Sequence, residues 1–338
     1  MGTIQEGAEQ AVIDCAQLQS GESVVIITDY ITQHIASELR DVADRISPGN
    51  VTTFIMEHYG ERPDDGSNPL QFPDEIAEAL EGADVSFYAV TPKKGEGHSF
   101  ALPMLQVVLV STRLRHAHMP HINDEIMCTG MCADYREVQE ISARVEGIVR
   151  EAKHITVTTP AGTEFTAEFS PSLRWIILDG IIRPGRPDNL PAGEVATCPY
   201  NISEGVVVVD GILGDYFIEK FGLLENTPVT LEIQDARVRK ISCVDDELLR
   251  ELQEYTKQDA NADRIGEFAI GTNIGVDRLI GNVLQDEKFP GVHVAMGHPF
   301  PELTGAGWES KAHIDAVLMN VTIDVEGYVI MRDGKFSF

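Results

Sequence analysis

The stretch SKAHIDAVLMNV, residues 310–321, sets a histidine and an aspartate two positions apart, directly ahead of an apolar, β-branched run. In a strand, side chains alternate between faces. His313, Asp315 and Val317 would then share one face, and Ile314, Ala316 and Leu318 the other. An imidazole and a carboxylate would stand side by side at the mouth of a mostly apolar element, which is costly unless something uses them. Taken alone, the stretch needs no more than a His–Asp hydrogen bond at a strand end. A Ser-His-Asp arrangement with Ser310 is weaker, because no strained elbow motif surrounds that serine.

Outward from this stretch, residues from about 153 onward are β-rich. HITVTTPAGTEFTAEF alternates around a Pro-Ala-Gly turn and predicts a hairpin. EGVVVVDGIL and TPVTLEIQDARVRKISC predict further strands, DDELLRELQEYTKQ a helix near Asp245 or Asp246, and the last run, from Ala312 to Phe338, a hairpin-like pair of strands. The first part of the chain has a different texture. ESVVIITD, VTTFIM and VSFYAV are short strand-like runs. They alternate with QHIASELRDVADRI, whose Ile35, Leu39, Val42 and Ile46 fall on one helical face, and with DEIAEALEGAD. Strand–helix alternation of this kind predicts an open parallel sheet. The fold expectation is therefore an α/β domain over residues 1–130, followed by an α+β, β-rich metal-binding domain over 131–338.

Bulk properties narrow the function. The chain has 338 residues, 24% of them charged, with a formal net charge of −28. Such a surface repels polyphosphate and anionic lipid, so neither nucleic acid nor a membrane is an expected partner. The N-terminus lacks a signal-peptide pattern, Glu6 breaks the myristoylation pattern, and no apolar run is long enough to span a bilayer. Five scattered cysteines suit a reducing, cytoplasmic setting. The CTGMC run (Cys128, Cys132) is a weak metal signal and predicts buried thiols. The turn TPKKGEGHS lacks the glycines and the Lys-Ser/Thr of a nucleotide loop. His116, His118 and His121 fall in a predicted interdomain connection, as solvated loop histidines.

Four segments place an acid or a histidine among Gly, Pro and apolar residues: NLPAGEVATCP with Glu194, RIGEFAIGTN with Glu267, QDEKFPGVHVAMG with Glu287 and His293, and the opening stretch with His313 and Asp315. Single buried carboxylates of this kind can pair with arginine, and Arg183, Arg186 and Arg264 lie near in sequence. Several together with two histidines suit a divalent metal. The six residues suffice for one ion or two.

These segments carry a resemblance. NLPAGEV, GEFAIGTN, DEK…GVHVAMG and SKAHID, in this order over residues 189–315, resemble the thermophilic-type metalloaminopeptidases of the aminopeptidase T and aminopeptidase S group. The resemblance implies that Glu194, Glu267, His293, His313 and Asp315 ligate metal, with Glu287 less securely matched. It also implies a homodimer or higher homo-oligomer, an enclosed site, and a small-molecule or short-peptide substrate. The implied chemistry is hydrolysis by metal-activated water, with Glu194 or Glu267 as proton shuttle and Mn, Co or Zn preferred to Fe.

One departure bears on substrate. The aminopeptidases carry tyrosine where this chain has Phe300, and His298 lies nearby. Relatives of the wider superfamily include a hydrolase that removes an amino group from a nitro-substituted aminobenzoate. They also include an Fe(II) dioxygenase that opens dihydroxypyridine through a two-His-one-carboxylate site, with histidine at the place of Glu267. Because Glu267 is kept, the expectation is a hydrolase, aminopeptidase-like or acting on an aromatic amine. Arg174, Trp175, Phe300 and Trp308 are candidates for an aromatic, carboxylate-binding wall. The other expectations are ring-opening oxygen chemistry and a binding protein that keeps metal only for structure.

Overall fold

The computed structural model of the chain describes residues 2–338. Its described residues divide into two compact units, residues 2–139 with 180–192, and 140–179 with 193–338. This differs from a border after residue 130. The helix Tyr135–Val149 carries the chain from one unit into the other, and the short strand Pro187–Asn189 returns to pair with Arg115–Pro120 of the first unit. No helix among the described residues is long and apolar enough to cross a membrane.

The first unit is α/β. Its sheet is wholly parallel, in the order Val51–Ile55, Val24–Thr28, Val85–Val90, Arg115–Pro120, Pro187–Asn189. Every residue of Val24–Thr28 and of Val85–Val90 is buried, as expected of inner parallel strands covered on both faces. Helix Gln33–Ile46 buries Ile35, Ala36, Leu39, Val42 and Ala43. Helices Asp74–Gly82 and Leu102–Val110 add Ile76, Leu80, Met104 and Val108 to a core with Val25, Ile27, Phe54 and Tyr88. The fourth strand corrects one expectation. His116 and His118 lie in this strand, not in a solvated loop: His116 is fully buried against Ser86 (Nδ1 to Oγ, 2.8 Å) and the His118 ring stacks on Tyr88. Strand pairing on both sides overrode the polar look of RHAHMP. Cys128 and Cys132 are half-buried free thiols, and neither belongs to a metal-capable group among the described residues.

The second unit is a sandwich of two antiparallel sheets. One has eight strands, in the order 237–242, 229–234, 204–209, 164–168, 154–158, 322–325, 328–332, 335–336. The other has five: His313–Leu318, Gly291–Gly297, Ile265–Gly271, Glu194–Thr197 and Ile176–Leu178. Their facing sides meet in one core. Phe268, Ile270, Val292, Val294 and Ile314 of the smaller sheet pack with Ile155, Val157, Phe165, Val207 and Leu231 of the larger. Helix Asp246–Tyr255 starts on Asp245, whose Oδ1 accepts from Glu247 N and Leu248 N, and it sends Leu248 and Leu252 into the same core. The final run does not form a single hairpin. After Leu318 the chain turns at Asn320, which takes a positive φ of 52°, and enters the other sheet at Thr322.

Candidate metal centre

Strand pairing in the five-stranded sheet decides which side chains meet. Glu267 lies opposite Ala295, and Ala295 opposite Asp315. Gly271 lies opposite Glu194, and Ala269 opposite His293. With side chains alternating, one face carries Glu194, Glu267, His293, His313 and Asp315, with only Ala196, Ala269, Gly271 and Ala295 between them. The small residues leave room for a cluster over the middle of the sheet. The other face is the apolar core. The alternation seen in residues 313–318 is thus repeated on three neighbouring strands.

Glycine sets the approach of the remaining groups. A Cβ on Gly271 would fall 1.9 Å from the carbonyl oxygen of Phe289. The segment bearing Glu287 and Lys288 therefore crosses directly over this strand, which no larger residue would permit. That segment is firmly held. Asp286 accepts backbone N–H bonds from Ile280, Gly281 and Asn282, and Asn273 N donates to Lys288 O.

The assembled cluster holds all six residues singled out in the sequence. Ligand atoms of Glu194, Glu267 and His293 lie within 4.8 Å of one another, as do those of Glu267, His313 and Asp315, and those of Glu287, His293 and Asp315. Each pair of groups shares one residue, so the three form one continuous ring. His313 Nε2 is 3.3 Å from Asp315 Oδ1 and 3.7 Å from Glu267 Oε2; His293 Nε2 is 3.6 Å from Glu194 Oε2 and 3.7 Å from Glu267 Oε1. His313 Nδ1 donates to the carbonyl of His298 at 3.1 Å, which turns Nε2 toward the carboxylates. Tyr255 grips the same residue from behind: its hydroxyl accepts from His313 N and donates to His313 O.

The electrostatics of the cluster reflect crowding. Burial works to lower both imidazoles, but the surrounding carboxylates outweigh it. Glu267, Glu194 and Asp315 raise His293 to about 9, and Asp315 and Glu267 raise His313 to about 10. Burial works to raise Asp315, yet the His313 charge beside it holds it well below the usual range. Burial raises Glu287 to about 8, with Glu194 and Asp315 adding to the effect against Lys288.

The donor set fits a divalent ion. It combines imidazole nitrogen and carboxylate oxygen, which suits Mn, Fe, Co or Zn. Glu194 Oε2 is buried and has no hydrogen-bond donor, a costly state for a carboxylate oxygen unless a cation faces it.

Several expected neighbours are elsewhere. Trp175 packs with Phe169 and Phe268, on the core side. Arg174 donates to the carbonyls of Leu303 and Glu302, and Arg264 lies over the Trp308 ring. Of the expected aromatic wall only Phe300 stands at the cluster, its ring centroid 4.9 Å from that of His313. Phe300 adopts left-handed backbone angles (φ 49°, ψ 64°), a strained conformation for an aromatic residue. Ser310 bonds Asp259 through its hydroxyl, so the Ser-His-Asp arrangement does not form. The arginines near in sequence do not neutralise Glu194. That role belongs to Lys288, fully buried, with Nζ 2.8 Å from Glu194 Oε1 and 2.7 Å from Glu287 Oε1. Its signal was present in QDEKFPGVHVAMG: a lysine in the same Gly, Pro and apolar setting that marked the acids.

A parallel α/β unit and an antiparallel sandwich, with acids and imidazoles gathered on one sheet face of the latter, define the class of the molecule: a two-unit protein of α/β and β-rich parts. The model of the family NicX: 2,5-dihydroxypyridine 5,6-dioxygenase matches residues 7–275, and the chain belongs to that family. The matched stretch contains Glu194 and Glu267 and ends before Glu287. No curated protein matches the chain. Two solved structures share the fold. One is a 2,5-dihydroxypyridine dioxygenase from Pseudomonas putida KT2440, with TM-score 0.69 and 18% identity over 98% of this chain and 96% of that one. The other is wild-type AmpT from Thermus thermophilus, with TM-score 0.72 and 17% identity over 99% of each. The expectation of a hydrolase, whether aminopeptidase-like or acting on an aromatic amine, is thereby corrected. Retention of Glu267 was read as a hydrolytic ligand set, but the family is that of a ring-cleaving dioxygenase.

Proposed function

We propose that the chain is a divalent-metal-dependent dioxygenase that opens a hydroxylated nitrogen-heteroaromatic ring, with Fe(II) as its metal. The observation that carries this reading is the family match over residues 7–275. The donor group Glu267, His313 and Asp315 supports it. Preference for Fe(II) reverses the order in which the sequence ranked the metals. Both atoms of O2 would enter the product as a ring carbon–carbon bond is cleaved. Bound Fe(II) would supply open coordination positions and a path for electrons, all four of which would come from the ring that is opened.

The chain's own residues would do the following. Glu267, His313 and Asp315 would hold the ion, with His293 beside them. The two-His-one-carboxylate pattern is replaced by one imidazole and two carboxylates, a more anionic set. Glu194 keeps one oxygen on Lys288 and leaves the other without a donor. That free oxygen would accept the proton of a ring hydroxyl as the substrate binds. Phe300, edge-on to His313, offers a flat apolar surface to an aromatic ring.

The test is O2 uptake by protein reconstituted anaerobically with Fe(II), using 2,5-dihydroxypyridine as probe. Stoichiometric O2 consumption with loss of the ring's ultraviolet band is expected. Bound iron without O2 uptake on any hydroxylated pyridine would sink the proposal.

A further inference from the structure

The ring of six ligands is larger than one ion requires, and the sequence left the choice between one ion and two open. Lys288 bears on that choice. Its ammonium is fully buried and touches one carboxylate from each of two ligand groups: Glu194 of the group with Glu267 and His293, and Glu287 of the group with His293 and Asp315. An ion bound by either carboxylate oxygen would sit against this positive charge. The lysine cannot readily swing aside, because its backbone lies against Gly271 and follows the loop held by Asp286. Only the group Glu267, His313 and Asp315 includes neither of the lysine's partners.

We infer that Lys288 is a built-in cation that takes the place of a second metal ion and limits the centre to one. It is a positioning residue, which acts by occupying Glu194 and Glu287. The inference rests on the reading of the cluster as a metal centre, and the two fail differently in the same experiment.

The experiment counts Mn(II) bound per chain by equilibrium dialysis of the full chain, with electron paramagnetic resonance on the same samples. Wild type is expected to saturate at one Mn(II), with the spectrum of an isolated ion. Lys288→Met, which removes the charge and keeps the bulk, is expected to take two, with a spectrum altered by spin coupling. Two ions in wild type would overturn the inference, as would one ion in a folded Lys288→Met and in Lys288→Gln. No ion in wild type would overturn the metal centre itself. Should neither variant fold, the wild-type count decides: one ion, with no second at raised free Mn(II), supports the inference.

Discussion

Each unit buries a group of carboxylates around one arginine or lysine, and the two groups differ in how completely their oxygens are satisfied. In the first unit Arg62 binds Glu96 through two parallel hydrogen bonds of 2.7 Å, and also binds Asp29, Glu57 and the carbonyl of Thr91. Asp29 further accepts from the backbone of Thr91, Ile31 and Thr32, and Glu96 from that of Lys93. In the second unit Lys288 reaches only Glu194 and Glu287, and the remaining carboxylates, Glu267 and Asp315, face the imidazoles of His293 and His313. Glu194 Oε2 has no donor, and Glu267 faces only imidazoles at 3.7 Å among the ion pairs. A planar guanidinium with five donors closes a site. A lysine with two partners leaves one open. An excess of acids over cations therefore does not by itself distinguish the two groups; the number of donors that each carboxylate finds does.

The largest expected effect tests the open site. His313→Ala and Asp315→Ala should each lower metal affinity by more than the ~10–100-fold typical of an outer-shell partner and abolish O2 uptake. Metal analysis after dialysis, beside the activity assay, checks this; full metal content in either variant would contradict the ligand assignment. The closed site should respond in the opposite way. Arg62→Met leaves buried carboxylates unpaired and should cost about 3–5 kcal/mol in denaturant unfolding, with the Mn(II) count unchanged. A lowered count would mean that the two clusters are not independent.

Acidity separates the halves as well. In metal-free protein His293 and His313 hold protons up to about 9 and 10. An ion must displace them, so metal affinity should rise with pH, by up to about tenfold per proton per pH unit below about 9. Titration calorimetry at several pH values would show it, and a flat profile would count against both histidines. The same raised values stabilise the metal-free fold fully below about 6.5, and that contribution is lost as pH rises through about 9 and 10. His116 and His118 have the opposite sign. Burial lowers both, His118 to about 4, so their contribution is present above about 6.5 and lost on acidification. Melts of the chelator-treated protein should therefore weaken at both ends, and loss of stability at only one end would break the contrast. The smallest effect is expected at Tyr255→Phe. Loss of its two hydrogen bonds to the His313 backbone should cost about 1 kcal/mol of stability and about tenfold in metal affinity. Unchanged affinity would make that clamp purely structural.

Much of the fold was legible because its elements are strongly patterned. Helix Gln33–Ile46 and strand Val85–Val90 have the bounds that their apolar spacing predicts. Where the pattern was weak, the reading failed. Arg115–Pro120 alternates histidine with apolar residues and joins the sheet only through its neighbours on either side. The run from Ala312 was legible as strand, but its division between two sheets depends on the turn at Asn320. The six candidate ligands were legible because charged groups among Gly, Ala and β-branched residues are costly without a partner. Trp175 and Trp308 were not separable from the site, since an aromatic residue suits a core as well as a pocket.

The sequence by itself determined the two textures of the chain, the alternation that places His313 and Asp315 on one face, and the six residues suited to a cation. Those are local properties, carried by spacing and residue type. Only the tertiary structure decided that four neighbouring strands and the segment bearing Glu287 present these residues in one patch, that Arg62 closes the other acidic group, and that Lys288 lies between Glu194 and Glu287. Register and close approach, such as the contact over Gly271, arise between segments far apart in the chain, and no local pattern encodes them.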